Sequence, residues 1–286
     1  PAMPSASRIL FSGLRLLSLA ALLSACGGGC AQSPPTRTTS MAKTTSPGWK
    51  TVLQLINDQK FEEASREVAV IRTEARQSGN EADLTRALIT EVQLREGLHG
   101  TETAVRFLKE EKWPEGALPH LTLQLFYAHS LMEYLQQYSW EIGQREKVEA
   151  KGAVDLKAWT RDQILLEAEK AYQEAWQRRA ELSSQPVAQL KEYVQPNDYP
   201  AGVRDTLRDA VTYFAVELLA NSGNWSAEQG NGVYRLDLKA LLADGAPALA
   251  NVKLDDASLH PLLRAIAALD DLERWHQGAG HDEAAL

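Results

Sequence analysis

The stretch Phe61-Glu62-Glu63-Ala64-Ser65-Arg66-Glu67-Val68-Ala69-Val70-Ile71-Arg72-Thr73-Glu74-Ala75 decides the fold. Its apolar members Phe61, Ala64, Val68, Ile71 and Ala75 recur at three- and four-residue steps, which is one face of an α-helix. Gly79-Asn80 follows as a helix stop. Upstream, Trp49, Val52, Leu53 and Ile56 share a helical face of their own, with Ser46 and Pro47 placed to cap and start it. Asn57 to Lys60 then forms a short turn, so the two helices make a hairpin in which a small Ala64 permits close approach. Downstream, Leu84, Leu88 and Val92 mark a third helix closed at Gly97 to Gly100, and Ala104, Phe107 and Leu108 mark a fourth.

The Phe-x-x-Ala-x-x-x-Val-x-x-Ile seam resembles that of a tetratricopeptide hairpin. Ala64 and Ala104 lie 40 residues apart, against a regular repeat of about 34. The expected fold is therefore all-α: antiparallel helical hairpins stacked as a degenerate TPR-like array. Trp113-Pro114 interrupts it, and Leu118 to Tyr138 is apolar nearly all round, as in a central buried helix. His120 and His129 lie within that helix, but nine residues place them on opposite sides, so they are not expected to share a metal.

Ser139 to Ala158 has no clean period and reads as a loop or short irregular helix. Trp159 to Leu182 reads as the longest helix, with Ile164, Ala168, Ala171, Tyr172 and Ala175 on its buried side and a Glu174–Arg178 pair opposite. Glu167 and Glu169 diverge on it and are expected in solvent. Pro196 to Pro200 gives a rigid approach to a helix from Val203 to Ala220, whose early charges Arg204, Asp205, Arg208 and Asp209 read as a solvated row. A short helix is expected from Leu238, and a last one from Leu259 to Trp275 with Ser258 as cap and Pro261 in its first turn. Gly280-His281-Asp282-Glu283 reads as the start of another helix, which suggests a chain that continues beyond Leu286.

The beginning of the chain supplies an address. Arg8 and Arg15 precede an apolar run from Leu16 to Leu23, then come Ser24 and Ala25. That is the order of a secretory signal, and the run is far short of the ~20 residues that span a bilayer as a helix. Leu23-Ser24-Ala25-Cys26 resembles the lipobox of bacterial lipoproteins, which implies cleavage before Cys26 and acylation of its thiol and new amine, an anchor that hardly reverses. The alternative is an ordinary cleaved signal. Residues 1–25 are thus expected to be a signal peptide and residues 26–46, rich in Gly, Ser, Thr and Pro, a disordered tether. Residues 47–138 and 159–286 are expected to form two helical blocks. Gly27 stands where an Asp would signal inner-membrane retention, so an outer-membrane anchor facing the periplasm is favoured.

Composition narrows the partners. Loss of Arg8 and Arg15 with the leader takes the formal charge from −8 to −10, which argues against nucleic acid. The chain's two cysteines, Cys26 and Cys30, both fall before the helices, so the folded body has neither a disulfide nor a Cys nucleophile. No phosphate-cradling loop, Gly-x-Ser-x-Gly elbow, His-Glu-x-x-His or metal-spaced cluster is present, and His276 with His281 is the closest His pair, placed at a frayed end. The expectation is a non-enzymatic chain that takes no cofactor, metal or small-molecule substrate.

Several stretches read together carry a further resemblance: Trp49 to Ala64, Val154 to Thr160, Tyr199 to Tyr213, Glu217 to Ala220, and Tyr234 to Leu238. Across roughly residues 49–275 they resemble the helical N-terminal region of large bacterial alpha-2-macroglobulin-like lipoproteins. That resemblance implies downstream β-sandwich domains, a protease bait region and, in many members, a Cys-x-Glu-Gln thioester. Neither Cys26 nor Cys30 is followed by Glu-Gln, so protease trapping would belong to downstream sequence and these helices to a stalk or partner-docking module. The competing expectation is a self-contained helical-repeat adaptor that docks peptide segments of envelope proteins.

Overall fold

Periodic apolar faces separated by Gly- and Pro-containing turns lead to helices, and helices are what form. The computed structural model describes residues 47–145, 156–194, 199–200, 202–241, 249 and 252–281. Residues 1–46, with the expected leader and tether and with Cys26, Cys30 and Ser46, lie outside the described residues, as do Val154 and Asp155, Pro196 to Asp198, and Asp282-Glu283. The fold is all-α: no strand occurs among the described residues, and an isolated antiparallel bridge pairs Pro186 with Thr206. The chain divides into two compact units between Ile164 and Leu165.

The first unit contains α1 (Gly48–Asn57), α2 (Phe61–Ser78), α3 (Glu81–His99), α4 (Thr101–Glu110), α5 (Ala117–Gln137) and α6 (Ser139–Gly143). Consecutive helices from α1 to α5 pack on one another, and α3 also touches α5. One core joins Trp49, Val52 and Ile56 of α1 to Ala64, Val68 and Ile71 of α2 and to Ala87 and Leu94 of α3. Leu53 departs from the expected buried face and is 44% exposed. Gly79 ends α2 in the left-handed conformation at φ 70°, where a side chain would be strained. Asn80 then caps α3, its side chain accepting from the Asp83 N–H at 3.2 Å.

Polar ties in this unit join neighbouring helices. Trp49 Nε1 donates to Asp83 Oδ1 at 2.9 Å, and Ser65 Oγ donates to Glu91 at 2.9 Å. Glu81 accepts from the backbone N–H groups of Glu115 and Gly116, both at 3.1 Å, which holds the turn before α5. Beyond α6, Arg145 donates to the carbonyls of Leu156 and Trp159 at 2.9 Å each. α5, at 21 residues, is the longest described helix and is buried on most sides.

The second unit is built on α7 (Arg161–Gln177, from Leu165 onward), α8 (Arg179–Leu182), a 3₁₀ turn at Val187–Leu190, α9 (Leu207–Ala220), α10 (Ala227–Gly232), α11 (Leu238–Leu241) and α12 (Pro261–Ala279). α9 packs on α12 and α8. Val216 and Leu219 of α9, Ala265 and Ala268 of α12, and Leu241, Leu249 and Leu254 make its core, with Trp176 packed against it.

Several sequence expectations are corrected here. The helix expected from Trp159 to Leu182 is two: Arg178 N bonds Ala175 O in a tight i→i−3 turn that splits α7 from α8. Arg178 reaches Glu181 at 2.9 Å. α9 begins at Leu207, not Val203, because Thr206 and Asp209 form a reciprocal capping box. Ser258 does not cap the last helix. Pro261 occupies the first position of α12, and His260 before it accepts from the Leu262 N–H at 3.1 Å through Nδ1. Gly280 ends α12 at φ 72°, and His281 N bonds back to His276 O at 2.9 Å; the helix start expected at Gly280 to Glu283 falls partly on residues outside those described.

Candidate functional site

On α12 the residues Arg264, Ala268, Leu272 and His276 recur every four positions and lie along one face. All four are buried, so this face carries two ionisable groups in a row of apolar ones. A buried polar or charged side chain requires a hydrogen-bonded partner, and Arg264 and His276 each find one far away in sequence. Arg264, 1% exposed, donates to Glu169 Oε2 at 2.8 Å and to the Leu254 carbonyl at 2.9 Å. His276 Nε2 meets Asp209 Oδ1 at 2.8 Å. The other Asp209 oxygen accepts from Thr206 N at 3.0 Å and Thr206 Oγ1 at 2.7 Å. One carboxylate thus caps α9 and ties it to α12.

A third tie is exposed at one side. Asp271 receives Arg179 in a two-pronged contact, Nε at 2.8 Å and Nη2 at 2.9 Å, and Arg208 Nη2 at 2.8 Å. Burial pushes the Asp271 carboxyl up, but the hydrogen bonds and charges of Arg179 and Arg208 outweigh it and hold the group below the usual aspartate range.

This triad forms one wall of a surface cleft of about 450 Å³. Arg179, Arg208, Arg274 and Asp271 are its charged lining; Trp176 and Trp275 contribute indole rings; Leu249, Val252, Leu254 and Ala267 are apolar. The Arg179 guanidinium lies 3.5 Å from the Trp176 ring centroid, and that of Arg208 lies 4.8 Å from Trp275. Two lining donors, Trp176 Nε1 and Arg208 Nε, are buried with no acceptor in the protein. Such an orphan costs roughly 1–3 kcal/mol, which is the kind of local tension that gathers at binding sites.

The residues singled out from sequence scatter relative to this cleft. Arg208 and Asp209, expected in solvent, are 8% and 1% exposed, because α9 is buried on nearly every side. Arg204 does stay apart from them, its guanidinium 4.0 and 3.8 Å from the rings of Tyr199 and Tyr213. Glu169, also expected in solvent, is the partner of Arg264. His276, expected at a frayed end, is 2% exposed. His120 and His129 are not brought together: the first contacts Pro114 O at 3.2 Å and the second Glu133 at 3.3 Å. Cys26 lies outside the described residues.

A separate carboxyl in the first unit is also perturbed. Burial, and secondarily the Glu133 charge, pushes Glu96 up to about 7 against a smaller opposing effect of His129. Glu96 Oε1 is buried without a hydrogen-bond partner. Among the described residues no group of three or more His, Cys, Asp or Glu side chains is placed to hold a metal ion, and no described helix is long and apolar enough to cross a membrane. No family model matches the chain, and no curated protein or solved structure was found similar to it.

Proposed function

We propose that the chain is a non-catalytic, TPR-like helical docking module held at the bacterial cell envelope by a lipid on Cys26, and that it serves as the N-terminal stalk or partner-binding region of an alpha-2-macroglobulin-like protease inhibitor. The observation that carries the docking role is the division of labour among the charged groups of the second unit. Arg264, Glu169, Asp209 and His276 hold helices together, while the neighbouring Arg- and Trp-lined cleft reaches the surface through Arg274, whose side chain is 59% exposed. The anchor rests on the lipobox-like Leu23 to Cys26, and the inhibitor setting on the resemblance across residues 49–275.

The anchor is tested by producing the chain with its own leader in a bacterium and taking mass spectra of the mature N-terminus. An acylated Cys26 in the outer-membrane fraction, lost in Cys26→Ser, is the expected result. A bare Cys26, or the leader still attached in the cytosol, would overturn it. The reading frame tests the inhibitor setting, which requires β-sandwich domains downstream; a stop codon shortly after Leu286 would leave the self-contained adaptor.

A further inference from the structure

The geometry points to the cleft of the second unit as a receptor for an acidic peptide segment in which a carboxylate adjoins an apolar side chain. This inference rests on the docking role proposed above and names the chemistry of the partner. The first observation is charge. The cleft presents three guanidiniums, from Arg179, Arg208 and Arg274, against Asp271 in its lining and Asp270 paired to Arg274 beside it, which leaves a net positive balance in a chain whose formal charge is −8. A local positive surface on an acidic protein selects a local negative one.

The second observation is capacity. A guanidinium has five N–H donors, and Asp271 takes two from Arg179 and one from Arg208. Their Nη1 groups make only long contacts of 3.4 Å, to Trp176 O and Ser183 Oγ, and the buried Arg208 Nε has no acceptor in the protein. Arg208 is itself nine-tenths buried, which fixes it as part of the wall. An incoming carboxylate supplies the Nη1 groups with the closer acceptor they lack.

The third observation is the apolar lining beside the guanidiniums. Val252 and the Trp275 ring, half-buried beside the core residues Leu249 and Leu254, offer apolar surface that an inorganic anion would leave uncovered. About 450 Å³ accommodates one or two side chains. A peptide joins the carboxylate and the apolar group in one ligand; polyanionic nucleic acid is disfavoured by the chain's overall charge.

The test uses the full chain and fluorescence anisotropy. The probe is a fluorescein-labelled peptide Phe-Glu-Leu-Asp-Leu-Glu with an amidated C-terminus, beside a twin with Gln and Asn in place of the acids and a third with a free C-terminal carboxylate. The acidic peptide should bind at least tenfold more tightly than its amide twin. A further gain with the free terminus assigns the site to chain ends, and no gain assigns it to internal acidic segments. Arg274→Glu, on an exposed side chain that leaves the wall intact, should weaken binding at least tenfold with an unchanged circular-dichroism melt. Equal binding of the acidic peptide and its twin, no binding of either, or equal binding by the variant would overturn the inference. So would Arg274-dependent capture of phosphatidylglycerol vesicles without peptide binding. If the peptide fails while Cys26 is acylated at the envelope, the cleft inference falls and the tether stands.

Discussion

The two units solve the same packing problem with ties of different reach. In the first, the polar contacts between helices join residues close in sequence: Trp49 to Asp83 are 34 apart, Ser65 to Glu91 are 26, and Arg72 to Glu111 are 39. In the second, beside a His260–Gln229 contact 31 apart, the longer ties include Asp209 to His276 at 67 residues, Arg179 to Asp271 at 92 and Glu169 to Arg264 at 95. The chemistry differs as well. The seam of α1 to α3 is largely apolar, whereas α12 interleaves Arg264 and His276 with Ala268 and Leu272. Neighbouring hairpins form at low loop-closure cost, while each long tie closes a large loop before any contact repays it. Only the first kind of order follows from local pattern.

The sharpest way to break that contrast is to remove a long tie. Asp209→Ala leaves His276 buried without its acceptor and abolishes the Thr206 capping box, at a cost of about 2–4 kcal/mol. Hydrogen exchange should show lost protection across Leu207–Ala220 and Pro261–Ala279, with Phe61–Ser78 unchanged; equal loss in α2 would mean that the units do not stand separately. Next comes the apolar seam. Ala64 has no exposed surface, so Ala64→Leu should overpack α2 and destabilise the first unit by about 1–3 kcal/mol, read as a lowered denaturant midpoint for α1 to α3 protection.

The smallest effect comes from the raised carboxyl at Glu96. Its folded state holds the proton up to about pH 7, while the unfolded chain releases it near 4.5. Its contribution is therefore fully present below about pH 4.5 and is lost as pH rises through 7. Glu96→Gln should match the wild type in acid and exceed it by about 1–2 kcal/mol at pH 8, after allowance for solvent screening. Parallel stability–pH curves for the two proteins would refute this origin for the shift.

What was legible in the sequence follows the same division. Phe61, Ala64, Val68 and Ile71 announce α2 because helical period and burial coincide there, and α5 declares itself by apolar residues on nearly every side. Local grammar also misled where two signals competed: Ser258 looked like a cap, but Pro261 fixed the first position of α12 and gave the role to His260. The buried ions were the larger miss. Charge near a helix start reads as solvent-facing, yet Arg208 and Asp209 lie on a helix enclosed by its neighbours, a fact held by residues more than sixty positions away. Two signals could have found them. Thr206-x-x-Asp209 is itself a capping-box pattern, and Arg264, Ala268, Leu272, His276 places charge on an apolar stripe, where an ion needs a partner.

The length of those ties bears on how the molecule comes into being. Wherever the chain folds, α1 to α5 can zip together before the second half is in reach. Glu169, Arg179, Arg208 and Asp209 must wait, gripping nothing, until Arg264, Asp271 and His276 emerge. The latter part of the polypeptide therefore stays open until α12 is present to lock it.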